Sequence, residues 1–378
     1  MNILVYTSLY PSRENPTHGI FVSELTQAMA RLIRVRVVVP ENGLRRLMER
    51  TREGFAPSDP LDVVRCRFWT APKVLKSLDH RLMAFFSATA FSSTLTPRPD
   101  LVHAHYAYPD AAAALLLAQR AGLPLVITCH GSDLNLLAKD PARRKIISRT
   151  LRQARAVAAV SEALQSAAVA LGAYPKRVHH IPNGVDLSRF TLGDKRQARA
   201  ILGLPQDVPI IAAAGRLEPV KGYDRLIRAV ALQRDVRLVL VGSGSLARSL
   251  KRLAGELGVS HRVVFAGRVD HASLAPYFQA ADTLAISSHS EGWPTVIHEA
   301  LACGTPVVAP AVGGIPEALA APSLGVVVAS NESELLAGGI RRILARGFDR
   351  HELRQAASPH GWDAVARRYM EIFAGARR

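Results

Sequence analysis

The feature that most limits what this chain can fold into is an alternation that runs through it twice. Short, almost unbroken apolar runs are separated by stretches with helical periodicity. In the first half the runs are Asn2–Thr7, Arg36–Val39, Leu101–His105, Leu125–Cys129 and Ala156–Val160. In the second they are Pro209–Ala214, Val236–Val241, Arg262–Ala266, Thr283–Ile286, Pro306–Ala309 and Gly325–Val328. Helical patterns such as Ile20–Leu32, Ala111–Gln119 and Tyr223–Gln233 lie between them. Strands that are apolar on both faces, each followed by an amphipathic helix, predict an α/β fold of parallel sheets covered on both sides. The alternation breaks near Asn183-Gly184, a turn signal, and a polar stretch from Leu187 to Asp207 follows. Each half has enough strands for a doubly wound sheet of its own. Ligands of such sheets bind at the carboxyl ends of the strands, so two of them facing each other would enclose a cleft.

With 378 residues, 48% of them hydrophobic, the chain is ample for two cores. Its three cysteines, Cys66, Cys129 and Cys303, have neither disulfide nor metal spacing and favour a reducing compartment. Apolar stretches such as Ala111–Leu117 fall well short of the roughly 18 residues of a membrane span. The opening MNILVYTSLYPS reads as a first strand rather than a leader. Net charge is +17, and Lys139–Arg155 carries seven basic residues against one acidic. A solvated helix face and an anionic membrane surface both fit that run. Nucleic acid is not expected, because no aromatic–basic interleaving or zinc motif accompanies the charge.

Three segments carry chemistry. Gly215-Arg216-Leu217-Glu218-Pro219-Val220-Lys221-Gly222 follows a strand, which sets Arg216 and Lys221 at the strand's carboxyl edge, open to solvent and suited to a phosphate. Gly242-Ser243-Gly244 is a second strand-to-helix turn, equally readable as a plain turn or a nucleotide contact. In EGWPTVIHEALACGTPVVAP, Pro294 suits the first turn of a helix running to about Cys303, with Gly304 ending it. The free N–H groups of Thr295 and Val296 would favour an anion. Glu291 then precedes the helix, and Glu299 lies on it among apolar residues. A buried carboxylate needs donors, and a ribose diol offers two. Two cations, a helix amino terminus and two carboxylates describe a site for a nucleoside diphosphate bearing a sugar. No Asp-x-Asp motif is present, so the cations would neutralise the leaving diphosphate without a metal.

With these motifs the chain resembles, over essentially its whole length, the retaining GT-B glycosyltransferases of family 4. Glu291 and Glu299 with seven residues between them, Arg216 and Lys221, and Ala302-Cys303-Gly304-Thr305-Pro306-Val307-Val308 carry the likeness in the second half. Tyr10-Pro11, His18-Gly19-Ile20-Phe21-Val22, His103-Ala104-His105, His130-Gly131-Ser132-Asp133 and Asn183-Gly184-Val185-Asp186 carry it in the first. The resemblance points to bacterial cell-surface polysaccharide enzymes of teichuronic-acid-like type. It implies a GT-B fold with an acceptor domain at 1–186, a nucleotide-sugar domain at 187–360, and a terminal helix, 361–378, returning to the first. Arg216 and Lys221 would bind the donor diphosphate, and Glu291 the sugar hydroxyls. Gly292, Trp293, Thr295 and Val296 would line the sugar and phosphates through their backbone, and Glu299 would hold the ribose. Gly19 would let the first loop approach the diphosphate, His130 would stand beside the reacting sugar, and His103 and His105 would lie on the acceptor side. Many members have a Gly-Gly pair where this chain has His18-Gly19, which leaves that loop's contacts open. The donor would be UDP- or GDP-linked and the acceptor a glycan or polyprenyl-linked glycan. No cofactor and no metal are implied. The setting would be cytoplasmic and peripheral on the inner face of the membrane. Rival readings are a nucleotide-sugar epimerase, a phosphorylase and a non-catalytic membrane-surface scaffold.

Overall fold

The computed structural model describes residues 1–12, 15–43, 61–70 and 76–377. Among the described residues there are thirteen strands, most of them separated by helices. In the first unit they are β1 (Asn2–Tyr6), β2 (Arg34–Asn42), β3 (Asp62–Phe68), β4 (Leu101–His105), β5 (Leu125–Cys129), β6 (Ala156–Ala159) and β7 (Val178–His180). In the second they are β8 (Ile210–Ala214), β9 (Arg237–Val241), β10 (Val263–Gly267), β11 (Thr283–Ala285), β12 (Val307–Pro310) and β13 (Gly325–Val328). Every strand pairing within the two sheets is parallel. The fold is therefore two Rossmann-like α/β units, as the double alternation predicts.

The sheet orders are β3-β2-β1-β4-β5-β6-β7 and β10-β9-β8-β11-β12-β13. Both run outward from the first strand and then reverse, which puts a topological switch point between β1 and β4 and another between β8 and β11. Two strands are absent from the apolar-run reading. β3, DVVRCRF, alternates charged and apolar residues and lies at a sheet edge, half exposed. β7 is only three residues long, and two of them are histidines.

The units comprise 1–183 with 362–378, and 184–361. The helix Trp362–Ala376 belongs to the first. Its Trp362, Val365, Tyr369 and Phe373 join the core formed by β1, β2 and the helix Ile20–Ala30. Trp362 Nε1 donates to Glu24 at 2.8 Å, which anchors the start of that helix. The second unit packs the helices Tyr223–Ala231, Ala247–Glu256 and Ser333–Leu344 on its sheet through Leu226, Ile227, Leu250, Leu336 and Ile340. No helix among the described residues is long and apolar enough to cross a membrane.

Candidate active site

In the second unit the chemistry gathers at the switch point. β8 is followed by Gly215, whose φ of +148° only glycine adopts readily, and the chain passes through Arg216 to the short turn Pro219–Lys221. Gly222, at φ +60°, caps the next helix. A Cβ there would meet the Ser287 carbonyl oxygen at 2.2 Å, so the Lys221 turn lies directly on the loop that follows β11. Two further bonds join the two: Ser287 Oγ donates to the Lys221 carbonyl at 2.8 Å and the His289 N–H to that of Val220 at 2.8 Å, while Asn331 Nδ2, from beyond β13, donates to the Ser287 carbonyl at 2.8 Å. The result is that Lys221 Nζ reaches Glu291 Oε1 at 2.6 Å, and Ser288 Oγ donates to the same oxygen at 2.6 Å.

This corrects one expectation. Lys221 is not a solvated cation but a quarter-exposed partner of a carboxylate that is itself only 11% exposed. Arg216 does lie exposed, and among the described residues its guanidinium makes no hydrogen bond or ion pair, only its carbonyl accepting from the Glu218 N–H at 2.8 Å. Glu218 faces the next loop instead. Bonds from Ser245 Oγ and N–H hold its carboxyl below the usual range, and Arg216 adds to the effect.

The glycines of Gly242-Ser243-Gly244 serve packing. A Cβ on Gly242 would fall 1.9 Å from the Gly215 carbonyl oxygen, and one on Gly244 would fall 2.5 Å from that of Leu217. Backbone bonds between Leu217 and both Ser243 and Leu246 complete the seam. The loops after β8 and β9 are thus in direct backbone contact.

The helix after Glu291 runs Val296–Ala302, starting later than the Pro294 signal suggests, and Gly304 at φ +75° ends it. The N–H groups of Thr295 and Val296 donate to no acceptor among the described residues. Gly292 accepts from the Gly314 N–H at 3.2 Å. Trp293 turns its ring inward, stacked on His298 at 5.3 Å, and His360 closes on His298 from 3.9 Å. Burial and the His360 ring hold His298 neutral, its pKa well below the ordinary value. Glu299 is 4% exposed. Its Oε1 accepts from His271 Nε2 at 3.0 Å, while Oε2 is buried with no hydrogen-bond partner among the described residues.

In the first unit the histidines form one cluster at the carboxyl ends of β4 and β5. His105 Nδ1 and His130 Nε2 are 3.0 Å apart, their rings stacked at 5.3 Å. His103 leans on His105 at 4.3 Å and bonds Thr128 Oγ1 at 2.8 Å, and Thr128 in turn bonds Tyr369 of the terminal helix at 3.0 Å. Burial drives His103 and His130 down to about 3, and His105 well below its ordinary value. All three are neutral rings at physiological pH. Phe21 packs on His130 at 4.8 Å. Gly19, at φ +65°, caps the Phe21 helix, and a Cβ there would meet the Leu9 carbonyl at 2.3 Å. Its missing side chain admits the chain's own first loop. Ser161 caps its helix by accepting from the Leu164 N–H at 3.3 Å.

Two buried carboxylates escape the sequence reading. Asp133 takes the N–H groups of Ala107, His130 and Gly131, and so shapes the turn that carries His130. Asp110 accepts from the Ser8 N–H, tying the loop after β1 to the loop after β4 at the switch point. Both are fully buried. Burial pushes Asp110 up to about 7 and raises Asp133 as well. Asp133 lies within the quoted His-Gly-Ser-Asp segment. For Asp110 the available signal was a carboxylate just beyond an apolar strand, directly before four alanines.

Residues 18–189 match the family Glycosyltransferase Family 4, and residues 194–360 match Glycosyl transferases group 1. The chain belongs to the GT-B glycosyltransferases. It is similar to D-inositol 3-phosphate glycosyltransferases of Mycobacterium bovis and Mycobacterium tuberculosis, at 37% identity over 277 residues. That alignment takes in 67% of this chain and 58% of the relatives, so it spans little more than half of their length. The fold is also that of sucrose-phosphate synthase from Thermosynechococcus elongatus (TM-score 0.79, 24% identity, 99% of this chain and 98% of that one). It matches the Anabaena protein HepE solved with UDP as well (TM-score 0.78, 22% identity, 99% of this chain and all of the other).

Proposed function

We propose that this glycosyltransferase moves a sugar from a nucleotide donor to a hydroxyl of a glycan or lipid-linked glycan, with retained configuration and without a metal, in surface-polysaccharide synthesis. The observation that carries the donor half is the Lys221–Glu291 pair at the β8/β11 switch point, with Arg216 exposed beside it. A donor's diphosphate takes the two cations, and its sugar hydroxyls take Glu291. The backbone of Gly292 to Val296 lines the sugar and phosphates, and the orphan oxygen of Glu299 receives the ribose. UDP in HepE supports a uridine donor.

The reaction balances without a protein nucleophile. The acceptor oxygen forms a bond to the anomeric carbon as the bond to the diphosphate breaks. The departing diphosphate takes the acceptor's proton on the same face, and Arg216 and Lys221 stabilise the charge that develops on it. The family resemblance implies donor-side roles for His130 and Gly19, and within the first unit His105 bonds His130 while His103 packs on His105.

The first unit also carries a surface suited to an anionic bilayer. The helix Asp79–Ser93 buries Met83, Ala84, Ser87 and Phe91, yet its outer face shows Leu82, Phe85 and Phe86, with Phe85 73% exposed. Basic groups flank it: Arg81 and Arg149 both lower the pKa of His80, after burial, and Arg143 lies near Asp79. An apolar stripe bordered by cations fits an interfacial binding mode and a lipid-linked acceptor.

A thermal-shift series with UDP, GDP, ADP and their sugars tests the donor assignment. The nucleotide that binds should raise the melting temperature, and NMR of the product should show the donor's anomeric configuration. A protein that no nucleotide stabilises refutes the reading.

A further inference from the structure

Three side chains behind the buried glutamate are joined to it end to end. Asp186 Oδ2 lies 3.1 Å from Arg189 Nη2, Arg189 Nη1 lies 2.8 Å from His271 Nδ1, and His271 Nε2 lies 3.0 Å from Glu299 Oε1. Guanidinium chemistry fixes the direction of every bond. Arg189 has only N–H donors and stays charged, so His271 must present a bare lone pair at Nδ1. A neutral imidazole with a bare Nδ1 carries its proton on Nε2. That proton points at Glu299, which can only accept. Asp186 holds the head of the chain. Burial raises its carboxyl, but the Ser188 hydroxyl at 2.6 Å and Arg189 outweigh it and keep it below the usual range. Phe190 packs edge-on against the His271 ring at 5.3 Å.

We propose that His271 is a positioning residue for the donor ribose. It holds Glu299 by Oε1, which leaves Oε2, buried and without a partner among the described residues, as the acceptor for a ribose hydroxyl. Asp186 and Arg189 set the tautomer that makes this possible. The inference rests on the donor reading above and extends it. It also gives work to Asp186, the last residue of the Asn-Gly-Val-Asp segment, to which neither the phosphates nor the sugar assigns a task. A sugar diphosphate without ribose would not sense the relay, whereas any nucleoside diphosphate would.

The test uses His271→Phe, which keeps a ring against Phe190 and removes both nitrogens. Calorimetry with UDP, GDP and ADP should show at least tenfold weaker binding of whichever the wild type binds, with inorganic pyrophosphate bound as before. His271→Gln, whose amide can still donate toward Glu299, should recover part of the loss. ¹⁵N NMR of the wild type should show His271 as the Nε2–H tautomer, and Arg189→Met should release it into a mixture. Equal losses for nucleotide and pyrophosphate would make the residue a general structural support and overturn the proposal. So would unchanged nucleotide binding by folded His271→Phe, or an Nδ1–H tautomer in the wild type. If the wild type binds no nucleotide, the donor reading fails, and the tautomer measurement still judges the relay.

Discussion

Asp110→Asn should make this protein more stable at pH 8 than at pH 5 relative to wild type, and the size of the effect follows from the burial of one carboxyl. Asp110 is fully enclosed, keeps one oxygen on the Ser8 N–H and leaves the other without a partner among the described residues. Burial, opposed by the Ser8 bond and helped by the nearby Asp133, moves it from 3.8 to about 7. A raised carboxyl means that the folded state binds more protons than the unfolded chain between those two values. Stability from this group is present below pH 3.8 and drains away as pH rises through 7. Between pH 5 and 8 the loss comes to about 3 kcal/mol. Asparagine keeps the volume and the acceptor but does not titrate. The stability difference, variant minus wild type, should therefore grow by about 3 kcal/mol from pH 5 to pH 8. Urea unfolding of both proteins at several pH values, followed by tryptophan fluorescence, measures it. The buried histidines act in the opposite sense. With His103 and His130 lowered to about 3, their contribution is present above pH 6.5 and is lost as pH falls. They are common to both proteins and cancel in the difference. A difference that stays flat with pH would refute the assignment of a buried, neutralised carboxyl.

Other outcomes follow from the same geometry. Arg216→Ala should lower the transfer rate by roughly 10²–10³-fold with little change in melting temperature, since its side chain is exposed. Lys221→Ala should lower the rate similarly and also destabilise the second unit, because it strips Glu291 of its ion pair; rate and melting temperature together separate the two variants. Activity should survive excess EDTA, and a loss that Mg²⁺ or Mn²⁺ restores would count against a metal-free mechanism. Reversing Arg144, Lys145 and Arg149 to glutamate should weaken binding to anionic vesicles by at least roughly a hundredfold, since the three lost cations alone contribute about 1 kcal/mol each. Arg143 is left alone because its Nε is buried. Equal binding to neutral and anionic vesicles would sink that surface. Gly242→Ala should cost about 2 kcal/mol or more, read from denaturation midpoints, because its Cβ would collide with the Gly215 carbonyl.

The fold was legible because parallel strands buried on both faces leave no alternative to unbroken apolar runs. β1, β4, β5 and β13 lie within a residue of the runs that announce them. β3 and β7 were not legible, for a physical reason: a sheet edge tolerates charge, and a three-residue strand is too short to show a period. The candidate site was legible as a set of residue types and not as a set of partners. Spacing says that Glu291 and Glu299 fall near a helix start. It cannot say that Lys221 closes on Glu291, because that contact depends on Gly222 lying against Ser287, 65 residues away in sequence. Nor could spacing couple His271 to Glu299, since the two meet only when the turn after β10 packs under the helix Val296–Ala302. Long-range pairings of this kind are fixed by tertiary packing and leave no local period.

The placement of the helix Trp362–Ala376 in the core of the first unit has a consequence for the order of assembly. A ribosome releases residues 184–361, a whole six-stranded unit, before it releases the segment that finishes the unit begun earlier. Until then β1, β2 and the helix Ile20–Ala30 lack the cover of Trp362, Tyr369 and Phe373, and Thr128 lacks the Tyr369 hydroxyl behind the histidine cluster. During synthesis the nascent protein thus carries an open apolar seam in the unit made first, beside a unit made second that is already able to close. A stop codon shortly before Trp362 would leave that seam permanently uncovered. The expected product is a chaperone-bound or aggregating chain whose second unit is intact.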